Sequence, residues 1–350
     1  MQLITPPLLS ISQIQTLKIQ PIKNIDSIEQ IERVASDLQQ GKFRLLRGIS
    51  YHNAVKILQV LKQLCNPPQQ HAPFHKIQQF KIQYRQAASH LLCRIENYEV
   101  QLSHVPKMGL LTDLYPEQPD FLLAFIYVQE IYAANEKYEK GQHFASLGYA
   151  LHPFYGTYAP TRIEHIELFT TWLSQYKGPL NQAIDVGCGC GILSFLLIKK
   201  GFQQVWATDN NPNAIESIKR DAQRQKIDNL QCRYGNFLVD SPSNMDLIIC
   251  NPPWIPGKAN SLVDQGLYFD EDFFPHFFEQ AHAKLAQNGD LLLIFSNIMT
   301  LLTPNISHPF EVELQRNRFV LHQKMQRKIK PKNPGQKTKE KVEIWHFRRK

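Results

Sequence analysis

No stretch of this chain approaches the ~20 consecutive apolar residues that a membrane-spanning helix requires, although 43% of its residues are hydrophobic. The opening Met1-Gln2-Leu3-Ile4-Thr5-Pro6-Pro7 lacks the basic start and apolar run of a secretory leader. A cytoplasmic location without membrane attachment is therefore the expectation. Cysteine is sparse: six residues at 65, 93, 188, 190, 232 and 250, several inside predicted core strands or a glycine loop. Reduced thiols fit that placement, and a disulfide framework does not. The 13 histidines form no metal-binding pattern. His71 and His75 are four apart, but Pro73 between them spoils a helical pair. Acidic residues are in deficit, 31 against 39 Lys and Arg, giving a net charge of +8 that favours a polyanionic partner such as RNA or DNA. Eight of the basic residues lie between Lys324 and Lys341, with Glu340 as the single acid. Such a run is either a solvated loop or a phosphate-contacting surface.

A length of 350 residues accommodates about two domains. The first half has no internal repeat, no glycine-rich phosphate loop and no nucleophile motif. Its apolar residues recur mostly at helical spacing: Ile28, Ile31, Val34, Ala35 and Leu38, and then Ala54, Val55, Leu58, Leu61, Leu64 and Cys65 before Pro67-Pro68. Two longer helical patterns cover about 75–98 and 120–138, with a proline-containing loop between them. Residues 1–145 thus read as a mainly helical domain for substrate recognition or docking. Residues 146–160, rich in aromatics and breakers, read as the linker.

From Thr161 the pattern alternates between strands and helices. Thr161 and Glu164 have capping-box spacing before an apolar helix face. Tyr158, Pro160 and Thr161 read as cap and linker. Ala183-Ile184-Asp185-Val186 is a short apolar strand that runs into Gly187-Cys188-Gly189-Cys190-Gly191. Alternate glycines permit positive φ and close approach of a ligand to the backbone. A dinucleotide fingerprint needs glycine at position 192, where Ile192 stands, which disfavours a nicotinamide enzyme. The next strand ends at Asp209, 20 residues past Gly189, the distance expected for an acid that accepts both ribose hydroxyls. A third strand exits at Gly235-Asn236.

Leu247-Ile248-Ile249-Cys250 then leads into Asn251-Pro252-Pro253-Trp254. The two prolines end the strand, so the motif sits at its carboxyl end, where open α/β sheets bind ligands. The residue types suit methylation of a planar NH2 group, whose lone pair is delocalised. The Asn251 side-chain carbonyl and the Pro252 backbone carbonyl can accept the two hydrogens, each contributing ~3 kcal/mol as the nitrogen gains positive charge. Trp254 can stack on the flat target. Phe273, Phe274, Phe277 and Phe278 form the apolar stripe of a following helix ending at Asn288-Gly289, and two final strands close the pattern as an antiparallel pair.

Asn-Pro-Pro-aromatic behind an apolar strand, together with the upstream glycine loop, resembles class I methyltransferases that use S-adenosylmethionine (SAM). The resemblance lies with the methyltransferase small-domain group, release-factor glutamine methyltransferases and the guanine-N2 and adenine-N6 nucleic-acid enzymes. It covers about His152 to the C-terminus and implies an α/β fold with a seven-stranded Rossmann-like sheet over 161–350. It further implies SAM held by Asp185, Gly187, Gly189, Gly191, Asp209 and Asn236, with Asn251, Pro252, Pro253 and Trp254 as the catalytic motif. Against the cap-and-linker reading, it also implies an upstream segment folded over the cofactor pocket, with Tyr158, Pro160 and Thr161 lining it. Asn236 departs from the Asp usual there, but its amide oxygen can still accept from the adenine amino group. The acceptor nitrogen stays open among adenine, guanine and protein glutamine, and so does the oligomeric state. A catalytically silent module that keeps the fold to bind RNA or protein is the second reading; turnover separates the two.

Overall fold

The computed structural model describes residues 2–9, 17–23, 25, 27–69, 72, 74–238, 240–258, 266–331 and 339–350. The chain forms two compact units, Leu3–Glu136 and Lys137–Lys350, with Met1–Gln2 grouped with the latter. No helix among the described residues is long and apolar enough to cross a membrane.

The N-terminal unit is mixed α/β rather than mainly helical. Strands β1 (Gln20–Lys23), β2 (Arg44–Arg47), β3 (Leu91–Glu96) and β4 (Glu99–Val100) follow one another across a sheet, and β5 (Phe121–Ala124) pairs with β3. Helices α1 (Ile28–Gln39) and α2 (Tyr51–Leu64) form as their periodicity predicts. Ser27 caps α1 in a complete capping box, and Ser50 caps α2. The pattern expected to be one helix over 75–98 instead splits into α3 (Phe74–Ala88) and β3. Leu91, Leu92, Cys93 and Ile95 are all buried, and a short apolar run of that kind fits a core strand as well as a helix. Asn97 and Tyr98, both with positive φ, make the two-residue turn between β3 and β4 that stops any helix there. The segment 105–119 carries the short α4 (Leu110–Leu114). Residues 120–138 divide into β5 and α5 (Phe125–Lys140), the helix that leads into the second unit.

The second unit opens with the hairpin β6 (Gln142–Phe144) and β7 (Tyr149–Leu151), inside the stretch expected to be linker. Helix α6 (Glu164–Gln175) starts later than its capping-box spacing suggests. Ile163 is its cap residue, and the Glu164 carboxylate accepts the Lys330 backbone N–H at 3.0 Å instead of closing a box with Thr161. Thereafter β8 (Gln182–Val186), α7 (Ile192–Lys200), β9 (Gln204–Asp209), α8 (Pro212–Arg224), β10 (Leu230–Tyr234) and β11 (Met245–Cys250) alternate. The short strands β12 (Ile255–Pro256) and β13 (Tyr268–Phe269) pair with each other. Helix α9 (Phe273–Lys284), β14 (Leu285–Ser296), α10 (Ile298–Leu302), α11 (Pro309–Gln315), β15 (Phe319–Lys328) and β16 (Lys341–Arg349) complete the unit. Helix α9 ends at Lys284, four residues before the expected stop. Asn288-Gly289 falls in a break of register between the pairs Met245↔Leu285 and Leu247↔Asp290.

The seven strands run β10-β9-β8-β11-β14-β16-β15, parallel through β14, with β16 antiparallel to both neighbours. Strand alternation splits the core. Leu247 and Ile249 join one buried cluster with α6, α7 and α8, whereas Ile248 and Cys250 join the phenylalanines of α9 on the opposite face. Burial on both faces explains the near-continuous apolar runs. The chain turns outward from β8 to β9 on one side and to β11 on the other, so the order reverses between β8 and β11. That reversal opens a crevice at their carboxyl ends.

Candidate active site

Into this crevice opens a cavity of about 360 Å³, within the range of small-molecule sites. Its floor is made by the exits of four strands: Gly187 and Gly189 after β8, Asp209 at the end of β9, Asn236 after β10, and Asn251, Pro252 and Pro253 after β11. Seven of the ten sequence-derived site residues therefore line one cavity. The other three lie behind or beside it.

Gly187 and Gly189 both have positive φ. A Cβ on Gly187 would project into open space, and one on Gly189 would meet the Tyr158 carbonyl at 2.9 Å. Gly191 also has positive φ, but a Cβ on it would meet the Ile218 side chain at 2.7 Å. Its role is to let α7 pack against α8, and it does not line the cavity. Ile192 and Leu193, in the first turn of α7, do line it, so the N-terminal end of that helix faces the cavity.

Asp209 is held by two backbone donors, Gly189 N–H on Oδ2 at 2.9 Å and Asn211 N–H on Oδ1 at 2.8 Å. Burial raises its pKa, and those two bonds oppose the rise. Each carboxylate oxygen keeps a further lone pair for a ligand hydroxyl.

Asp185 is fully buried one layer behind the floor. Its Oδ2 accepts from Ser194 Oγ at 2.6 Å, and Oδ1 has no donor. Burial drives its pKa up to about 7, against the Ser194 bonds and with the help of Asp209. A carboxyl whose folded pKa lies above its unfolded value contributes stability below pH ~4 that is lost as pH rises through about 7. Asp185→Asn, which keeps the shape, should therefore raise stability at pH 8 by a few kcal/mol, since each tenfold change in acidity is worth ~1.4 kcal/mol, and change little at pH 4. Denaturant unfolding at both pH values measures this; equal effects at the two would show that Asp185 is not held out of water.

The Asn251 amide has a fixed orientation. The Trp254 indole N–H, which can only donate, lies 3.1 Å from its side-chain oxygen. Trp254 itself does not line the cavity. It packs against both core clusters and stands edge-on to His165, with ring centroids 6.0 Å apart. Here the indole aligns Asn251 and does not stack over the cavity.

The opposite wall comes from 152–160. Asn211 and Asn213 donate to the carbonyls of Gly156 and Tyr155, both at 2.8 Å. His152 and Phe154 donate backbone N–H groups to Asp221 and Ser217 of α8 at 2.8 and 3.1 Å. Cys190 N–H reaches the Tyr158 carbonyl at 2.9 Å. This segment is the cavity's wall and not a hinge. Tyr158 and Pro160 line the cavity, and Thr161 does not.

Burial holds the thiols of Cys188, Cys190 and Cys250 protonated, with Cys190 pushed up to about 12. No group of three or more His, Cys, Asp or Glu among the described residues could hold a metal ion.

Residues 166–311 match the family model of the methyltransferase small domain. The ribosomal protein L11 methyltransferase of Thermosipho africanus is 33% identical over 85 residues, 24% of this chain and 32% of that protein. The putative protein N5-glutamine methyltransferase of Methanocaldococcus jannaschii is 27% identical over 89 residues, 25% of this chain and 45% of that protein. The alignments thus span a third to under half of the length of these two relatives. Among solved structures, the ribosomal protein L11 methylase of Lactobacillus delbrueckii subsp. bulgaricus superposes with a TM-score of 0.38 at 19% identity, covering 55% of this chain and 81% of that one.

The fold brings further residues to the cavity that motif reading passed over: His165, Asp270, Asp272, Phe273 and His276. Asp270 and Asp272 sit at the start of α9, directly after β13. Their position in the chain shortly after the strand-end motif was the available signal. His165 carried no motif at all.

Proposed function

We propose that this chain is a SAM-dependent N-methyltransferase, transferring a methyl group to a planar exocyclic amino or carboxamide nitrogen of a nucleic acid or of a macromolecule of the translation apparatus. The observation that carries the reading is the Asn251 amide, aligned by Trp254, on the same cavity as Gly187, Gly189 and Asp209.

The residues present fit SAM. Asp209 offers two anchored oxygens to the ribose hydroxyls, Asn236 an amide oxygen to the adenine amino group, and Gly187 an open face to the methionine part. The first turn of α7 suits a carboxylate at a helix N-terminus. Asp185 Oδ1, buried without a donor, is the acceptor nearest in kind to what an ammonium group needs. When bound, SAM supplies a methyl group on a positively charged sulfur. The chain's own part is to orient the acceptor. Asn251 Oδ1 and the Pro252 carbonyl take hydrogen bonds from the NH2 group, which strengthen as that nitrogen gains positive charge.

Among the described lining residues the charged groups are acidic, Asp209, Asp270 and Asp272, with no Lys or Arg. That suits an uncharged NH2 group entering the cavity, with any phosphates held elsewhere. The basic stretch 324–341 could hold them only in part. Lys332 and Lys337 lie outside the described residues, Lys324 pairs with Glu343 and covers Trp345, and Arg327 pairs with Glu167. The basic residues to Lys328 are on strand β15, not in a connecting loop.

The test is transfer of labelled methyl from SAM into a lysate of cells lacking this gene, fractionated into DNA, RNA and protein. Label in one fraction names the substrate class. SAM binding without label anywhere would leave the silent module as the better reading.

A further inference from the structure

We propose that His165 is the proton acceptor of the methyl transfer, a catalytic residue outside the Asn-Pro-Pro-Trp motif. This rests on the methyltransferase reading above. His165 lies in the first turn of α6, is 4% exposed, lines the cavity, and makes no hydrogen bond among the described residues. Here it is held edge-on against Trp254, whose indole N–H aligns the Asn251 amide. The ring is thus one side chain away from the group that orients the acceptor nitrogen.

Other groups on the cavity are poorly suited to the task. Both oxygens of Asp209 are bound to backbone N–H groups. Asp270, Asp272 and His276 are exposed to solvent. Burial holds the thiols protonated. Burial also lowers the pKa of His165 to about 4, with Glu164 opposing, so the imidazole is neutral and free to accept at physiological pH.

The balance is simple. The nitrogen lone pair forms the bond to the methyl carbon as the carbon–sulfur bond breaks and its electron pair stays on sulfur, giving a neutral thioether. The nitrogen is left cationic with a surplus proton, which moves to the His165 imidazole and later to solvent. A methylated, protonated amide or aromatic amine is a strong acid, so a weakly basic imidazole suffices.

The experiment uses the full chain, SAM carrying a labelled methyl group, and the lysate of cells lacking this gene as acceptor. His165→Ala and His165→Gln should each lower the rate of label transfer by ~100-fold or more, while calorimetry finds SAM affinity within about twofold of wild type. Added imidazole, which fits the space left in His165→Ala, should restore that variant by about tenfold or more, and substituted imidazoles should do so in order of basicity. A residue that merely props up Trp254 would show no such ordering.

Undiminished transfer in either variant overturns the proposal, and so does loss of SAM affinity in step with loss of transfer in both. Transfer that imidazoles fail to restore in an Ala variant that still binds SAM overturns it equally. If wild type itself labels no fraction, the methyltransferase reading fails first and the role of His165 falls with it. Label from wild type with equal label from the variants removes His165 alone.

Discussion

Asn251→Ala is expected to leave SAM affinity nearly unchanged and to lower kcat by ~100-fold or more. The side-chain oxygen meets the reacting nitrogen most strongly when that nitrogen carries positive charge, so its removal costs the transition state more than the bound cofactor. The indole N–H that aligns it adds a second arm. Trp254→Phe keeps most of the packing but frees the amide to rotate, and should lose about tenfold in kcat, in the range of a lost hydrogen bond of ~1.4 kcal/mol. Steady-state kinetics on the identified fraction with calorimetry on SAM measures both. Full turnover in Asn251→Ala would end the amino-group mechanism.

The second large effect belongs to cofactor binding. Asp209→Ala should weaken SAM binding by one to two orders of magnitude, equivalent to ~1.5–3 kcal/mol for charged hydrogen bonds. The carboxylate is the proposed acceptor for ribose, and it also fixes two loops through Gly189 and Asn211. Asp209→Asn should lose nearly as much, since its NH2 group would face one of those two N–H donors. Equal SAM affinity in wild type and Asp209→Ala, read by titration calorimetry, would remove this strand end from the cofactor site.

The strand-end residues were legible because sheet geometry and motif coincide there. Each apolar run ends at a glycine, acid or proline, and the topology must bring those ends together. The four strand exits and the alternation of faces could therefore be read from residues such as Leu247-Ile248-Ile249-Cys250 alone. Three kinds of information were not local. Leu91, Leu92 and Ile95 fit a helix or a buried strand equally, and only pairing with β2 and β5 decides. The task of Gly191 depends on Ile218, 27 residues on. His165 has no sequence signature, because a buried histidine on an apolar helix face looks the same whether or not a cavity lies beside it.

The bonds tying 152–160 to α8 bear on how this protein can be taken apart. A truncation beginning at 161, just ahead of the family match, would remove the Tyr155 carbonyl to which Asn213 donates and the backbone N–H groups of Phe154 and His152 that Ser217 and Asp221 accept. Such a fragment would lose these hydrogen bonds and open an apolar flank at once, a combination that promotes aggregation more than independent folding. Tyr138 widens the requirement, because its hydroxyl accepts from Arg220 and Arg224 and its backbone carbonyl meets the His152 ring. The smallest autonomous piece of the second unit therefore begins near Lys137, roughly thirty residues before the start of the family match.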